Sequence, residues 1–245
     1  MENKIIRPIF LKHNYYPEII HLNPQFNPKI KLLRATILID WKEDQKRKKI
    51  ERLITKMAEI SSTIHMHRCS DDGVYLPFAK QGKKKKKKSF DGDVALAHLI
   101  EHLTIDFLCF VTELRKCSGV TCAFRRPRNK FDLFIESIEV LPCIFSFSLA
   151  VSAVDALLQN GCPAEYFKNI LKASRYCYMR RYDLIEPLDM AAFFNWGIIK
   201  TEEILEIISM AGFVEKEEYS FNFSGVSKYR LSRQHGYVYR PIPAI

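Results

Sequence analysis

The sequence predicts an α/β (α+β) fold, a two-layer domain with helices packed on one mixed β-sheet. Three observations on the 245-residue chain lead there. Apolar residues recur at helical spacing in several segments, short β-branched or aromatic runs stand between them, and Gly and Pro punctuate the joins. At 47% apolar composition the chain can bury an ample core, which argues against disorder.

Each element has its own signal. Residues 34–40, Arg-Ala-Thr-Ile-Leu-Ile-Asp, are β-branched and apolar, a strand. Ile50, Leu53, Ile54, Met57 and Ile60 then recur among Lys and Glu as one face of a helix. Residues 62–67 read as a short strand and 69–92 as a loop, which carries six consecutive lysines at 83–88. Asp93 is the expected N-cap of a helix with the apolar stripe Leu96, Leu99, Ile100, Leu103, Phe107 and Phe110, and Gly119 marks its end. Strands are expected at 120–124 and 131–138, joined by the turn-rich Arg126-Pro127-Arg128-Asn129.

A helix over 144–158 should stop at Asn160-Gly161, and Pro163 should open the next, with Tyr166, Phe167, Ile170 and Leu171 inward. Beyond Pro187 come a short helical stretch, a helix over 201–210 ended by Gly212, and β-structure over 219–239. Residues 1–212 are expected to form the domain, with a lysine-rich loop at 80–92. Residues 213–245 are expected to be its C-terminal β-containing extension.

Composition narrows the function classes. The net charge is +10, but six positive charges sit in the one lysine tract, so nucleic-acid binding is not expected. The longest apolar run, 141–151, is shorter than a membrane span, and no membrane association is expected. The first residues lack the apolar stretch of a secretion signal, so a cytoplasmic location is the expectation. The seven cysteines form no C-x-x-C pair and are expected to be reduced and mostly buried.

His98-Leu99-Ile100-Glu101-His102 carries the chemistry. It has the inverted zinc-hydrolase form H-x-x-E-H. Helix positions i and i+4 share a face, with Cβ atoms about 6 Å apart, so both imidazoles can reach one Zn2+. Glu101 lies beside them, suited to take a proton from water activated by the metal. A hydrolytic zinc site needs three protein ligands and an open position. Glu136 and Glu139, after the strand that follows the motif helix, are candidates for the third, and Asp155 is a weaker one. Asp106 lies too far along the helix to coordinate easily and suits an orienting role behind His102. His65 and His67 alternate along a strand, with His67 favoured as a pocket residue over a second metal pair.

Several segments together resemble the N-terminal domain of cyanophycin synthetase. His67-Arg68-Cys69-Ser70 is similar to the family's H-x-C-S segment, and His98 to Asp106 to its H-x-x-E-H-x-A-x-E. Cys122 to Arg128 stands where the family has a C-G-F-G-R-T-R-like strand, and Phe131 to Glu139 resembles V-V-V-E-Y-x-x-E. Asp106 replaces the family's Glu, Arg125 replaces a Gly, and Glu186-Pro187-Leu188-Asp189 replaces G-P-S-T. The resemblance implies a stand-alone relative of that domain, without the ligase domains that follow it in the family. It implies a zinc metallopeptidase-like hydrolase acting on cyanophycin or a related acidic peptide polymer. In that case His98 and His102 bind zinc, Glu101 is the base, Glu136 or Glu139 completes the site, and His67 lines it. Arg126 or Arg128, at a strand end, would clamp a substrate carboxylate, and the lysine tract would attract an acidic polymer. The competing expectation is a non-catalytic binding module for an anionic polymer or a partner protein.

Overall fold

The computed structural model describes residues 4–41, 46–61, 63, 91–159, 163–221, 224–233 and 238–243. The expected strand at 62–67, the lysine tract and His67 lie outside them, apart from Thr63. The class is α+β, as expected: a four-stranded sheet covered by helices, with a two-stranded sheet beside it. Strands β1 (Ile6–Asn14), β2 (Leu32–Ile39), β3 (Gly119–Ala123) and β4 (Lys130–Glu136) lie in the order β1-β2-β4-β3. All the described pairings are antiparallel, where a mixture was expected.

Strand β1 is not among the elements expected from the sequence. It is an edge strand with a register shift between Pro8 and Phe10, the setting in which a sheet tolerates proline. Alternation sorts the sheet into two faces. Leu33, Ala35, Ile37, Phe131, Leu133 and Ile135 face the helices and belong to the main core. Leu32 and Phe134 face the other way, against Ile19 and Phe26 of the segment between β1 and β2.

The helices are α1 (Lys46–Ile60), α2 (Gly92–Thr112), α3 (Val140–Leu158), α4 (Ala164–Met179), α5 (Pro187–Phe194) and α6 (Ile198–Met210). In α1 the expected stripe, Ile50 to Ile60, is buried. Helix α3 begins four residues before the expected start because Pro142 falls in its first turn, where a proline removes no helical hydrogen bond. Strands β5 (Val214–Phe221) and β6 (Ser224–Leu231) pair as a hairpin, earlier and shorter than the expected 219–239. Phe213, Val214 and Tyr229 join the main core, so the C-terminal segment packs on the same domain.

Helix α2 is the centre of the molecule. It packs against β2, β3 and β4 on one side and against α1, α3 and α4 on the others. Leu96, Leu99, Ile100, Leu103 and Phe107 are all fully buried, each stabilising by about 1.5–3 kcal/mol. Against expectation, α2 and α3 are each long and apolar enough to cross a membrane, but 83% and 78% of their most apolar stretches are buried within the fold. The five described cysteines are free; Cys143 and Cys177 are buried, whereas Cys109, Cys117 and Cys122 are half-buried.

Candidate metal centre

The N-cap of α2 is Asp91, two residues ahead of the expected Asp93; its Oδ1 accepts from the amides of Asp93 and Val94. The helix ends at Thr112, well before Gly119, with Glu113 left-handed at φ 59°. Between these ends the motif forms no solvent-facing polar stripe. His98, Glu101, His102 and Asp106 are all buried, at 7%, 3%, 4% and 5% exposure. Four ionisable side chains on one helix face the interior, where burying charge is costly unless it is met by other groups.

The two imidazoles converge. Their Nε2 atoms are 3.1 Å apart and their ring centroids 4.5 Å. Two nitrogens bound to one tetrahedral zinc at about 2.0–2.1 Å stand about 3.3 Å apart, so the pair has the span of a chelate. The same distance also serves a hydrogen bond between a neutral ring donor and its neighbour.

Glu101 stands on the other side of His98. Its Oε2 is 3.6 Å from His98 Nδ1 and accepts a hydrogen bond from the Thr121 hydroxyl on β3. At this distance the two are in ion-pair contact; a carboxylate that closes to hydrogen-bond distance on the far nitrogen fixes the tautomer that leaves Nε2 free to bind a metal. Gly119 lets the helix come this close. A Cβ there would lie 2.6 Å from Glu101 Oε1 and 2.7 Å from Ile105 Cδ1. Neither Thr121 nor Gly119 carries a site signal in the sequence, where Gly119 is expected only to mark the end of the helix. One turn beyond His102, Asp106 accepts from the Thr63 hydroxyl, which also bonds Ser61. These bonds tie Ser61 and Thr63 to α2.

The other expected site residues lie apart. Glu136 follows Ile135 on β4 and so faces the opposite side of the sheet from α2; its Oε1 accepts from the Asn27 amide at 2.8 Å. Glu139 is exposed at the start of α3 and accepts from the Tyr178 hydroxyl. Asp155 holds the start of β1, accepting from the amides of Ile5 at 2.9 Å and Ile6 at 3.4 Å, and burial raises its pKa. Among the described residues, no three His, Cys, Asp or Glu side chains gather as a metal site.

Arg126 and Arg128 are exposed in the turn between β3 and β4. Ile105 lies against Gly119, and Glu101 reaches on to Thr121, so α2 runs antiparallel to β3. The His98 end therefore points towards that turn, and both arginines belong to the site's end of the sheet. On the sheet's far face, Asp132 accepts from Arg34 at 2.7 Å and from Thr36 at 2.6 Å. Burial beside Asp132 and Glu101 pushes the Cys122 thiol up to about 11, away from thiolate chemistry.

No family model matches this sequence, and a search of characterised proteins finds no match. The resemblance to the cyanophycin synthetase domain therefore rests on its motifs.

Proposed function

We propose that the protein is a zinc-dependent hydrolase of metallopeptidase type, cleaving amide or isopeptide bonds in an acidic peptide polymer. The observation that carries this reading is the buried pair His98 and His102, with Nε2 atoms 3.1 Å apart. Zinc, when bound there, supplies a Lewis acid that polarises the scissile carbonyl and acidifies water. Glu101 takes the proton from the attacking water and returns it to the leaving nitrogen, which requires its carboxylate to turn from His98 Nδ1 towards the substrate side. Arg126 and Arg128, in the turn towards which the His98 end of α2 points, hold a substrate carboxylate. Cyanophycin or a β-aspartyl peptide is the substrate class that the motif resemblance supplies.

Neither Glu136 nor Glu139 faces the histidine pair, so zinc content should survive Glu136→Ala and Glu139→Ala. The third ligand is then a residue other than these two.

The decisive measurement is zinc content by elemental analysis, together with cleavage of cyanophycin and β-aspartyl peptides with and without a chelator. Glu101→Gln keeps the acceptor for Thr121 but cannot take the proton. It should retain zinc and lose about 10²–10⁴-fold in turnover. Protein without stoichiometric zinc, or cleavage untouched by Glu101→Gln, overturns the proposal.

The position of Glu101 favours a second reading, in which it only orients His98 and the protein is a non-catalytic binding module for an anionic polymer or a partner protein. In that case Glu101→Ala weakens zinc binding about 10–100-fold, and no peptide is cleaved by the unaltered protein.

A further inference from the structure

The C-terminal end of α2 opens onto a cavity. Twelve residues separate His98 from Phe110, about 18 Å along the helix, so this cavity is distinct from the histidine pair. Phe110 and Glu113 of α2, Lys172, Arg175, Tyr176, Met179 and Arg180 of α4, and Phe193 and Phe194 of α5 enclose about 480 Å³. That volume lies within the about 300–1,000 Å³ of small-molecule sites. Its walls are aromatic. The Tyr176 ring lies 5.0 Å from Phe193 and 5.7 Å from Phe194.

Three features distinguish it from an ordinary surface cleft. Phe193 is 67% exposed and Met179 51%, so apolar area faces solvent around the opening. The polar groups are mostly cations held over the rings. The Arg180 guanidinium is 4.8 Å from the Tyr176 centroid, and that of Arg175 is 5.0 Å from Phe110. Glu113, the one acidic residue in the lining, pairs with Arg175, so Lys172 and Arg180 leave the rim positive. Tyr176 itself is 6% exposed, and its buried hydroxyl has no hydrogen-bond partner among the described residues. A buried hydroxyl without a partner in a cavity wall is a group for a ligand to satisfy.

We propose that this cavity binds a small amphipathic carboxylate, its apolar body among Phe110, Phe193, Phe194 and the Tyr176 ring and its acid group at Lys172, Arg180 and the Tyr176 hydroxyl. The apolar walls provide the affinity, and the cations select the acid over a neutral molecule of the same shape.

The test uses calorimetric titration of the full chain with dodecanoate and with dodecanol, both below the concentration at which they aggregate. Dodecanoate should bind once per chain and at least tenfold more tightly than dodecanol. Arg180→Glu, at an exposed position, should abolish that preference, while Phe193→Ser should weaken both ligands. Tyr176→Phe, which keeps the ring, should reduce the preference without affecting dodecanol. Equal affinity for acid and alcohol, a preference unmoved by Arg180→Glu, or binding with no saturable single site overturns the proposal. Unchanged thermal unfolding of the Arg180→Glu and Phe193→Ser variants shows that they keep the fold.

Discussion

The two halves of α2 invert the usual rule in opposite ways. In its first half, polar side chains are buried: His98, Glu101 and His102 are at most 7% exposed. At its other end, apolar side chains meet solvent beside Phe110, itself 36% exposed, with Phe193 and Met179 around it. Ordinary folding does neither freely, since buried charge needs partners and exposed aromatic area gains nothing from being there. The buried half has been made possible by its neighbours: Gly119 gives room, and Thr121 gives Glu101 a donor. The exposed end has cations stacked on its rings. The first region is therefore bound up with stability, whereas the second can be altered at little cost to the fold.

The largest effect should come from closing the gap between α2 and β3. Gly119→Ala places a methyl 2.6 Å from Glu101 Oε1 and 2.7 Å from Ile105 Cδ1. The methyl must displace the Glu101 carboxylate and the Ile105 side-chain end or push helix and strand apart, and overpacking of this kind costs about 1–3 kcal/mol where the side chains cannot give. Chemical denaturation should show the loss as a lower midpoint at unchanged slope. If Gly119→Ala is neutral, Glu101 is not held where the comparison requires it.

Thr121→Val keeps the shape of the strand residue and removes the hydroxyl that reaches Glu101. A buried acceptor that loses its donor costs about 1–3 kcal/mol, at the lower end here because Glu101 also lies beside His98. The variant sharpens the comparison through a second readout. If Thr121 positions Glu101, peptide cleavage should fall while zinc content stays.

Sequence periodicity made the class of fold and most of its helices legible, because α1, α2 and α4 bury faces that recur every three or four residues. It could not reveal β1, where Pro8 interrupts a strand whose bulge exists only once β2 is beside it. The cap of α2 fell on Asp91 although Asp93 is the same residue type, a choice made by backbone geometry. At the site, H-x-x-E-H was legible because its partners are on one helix. The partners of Glu101 were not, because β3 meets α2 only in the folded chain. Glu136 is the instructive case. Phe131, Leu133 and Ile135 read as the core face of β4, and the alternation that makes them so turns Glu136 away from the helix.

A smaller effect should follow from His13, a buried group away from both ends of α2. Its Nε2 donates to the Ser137 carbonyl at 2.9 Å. Burial, the largest influence, lowers its pKa below the ordinary 6.5, with the Ser137 carbonyl opposing and Lys31 assisting. The unfolded chain therefore binds the proton first as pH falls through 6.5, and the folded state loses stability from there down to the lowered value. Above 6.5 the contribution is complete and flat. Thermal unfolding followed against pH should show this fall, and His13→Gln, which can still donate to Ser137, should flatten it. A fall of unchanged size in the variant would show that the acid sensitivity does not come from His13.

The smallest effect on the fold belongs to the exposed end, and there the comparison is most open to failure. Phe193→Ser removes a ring that is 67% exposed but in contact with Tyr176 and Phe194. If the cavity serves a ligand, stability should change by no more than about 0.5 kcal/mol, the range of surface substitutions, and the melting temperature by under about 2 °C. A loss of several degrees would make Phe193 part of the structural core, leaving the aromatic cluster explained by packing. Apolar area kept on the surface without a contribution to stability needs another cause, and the cations around this cavity supply one.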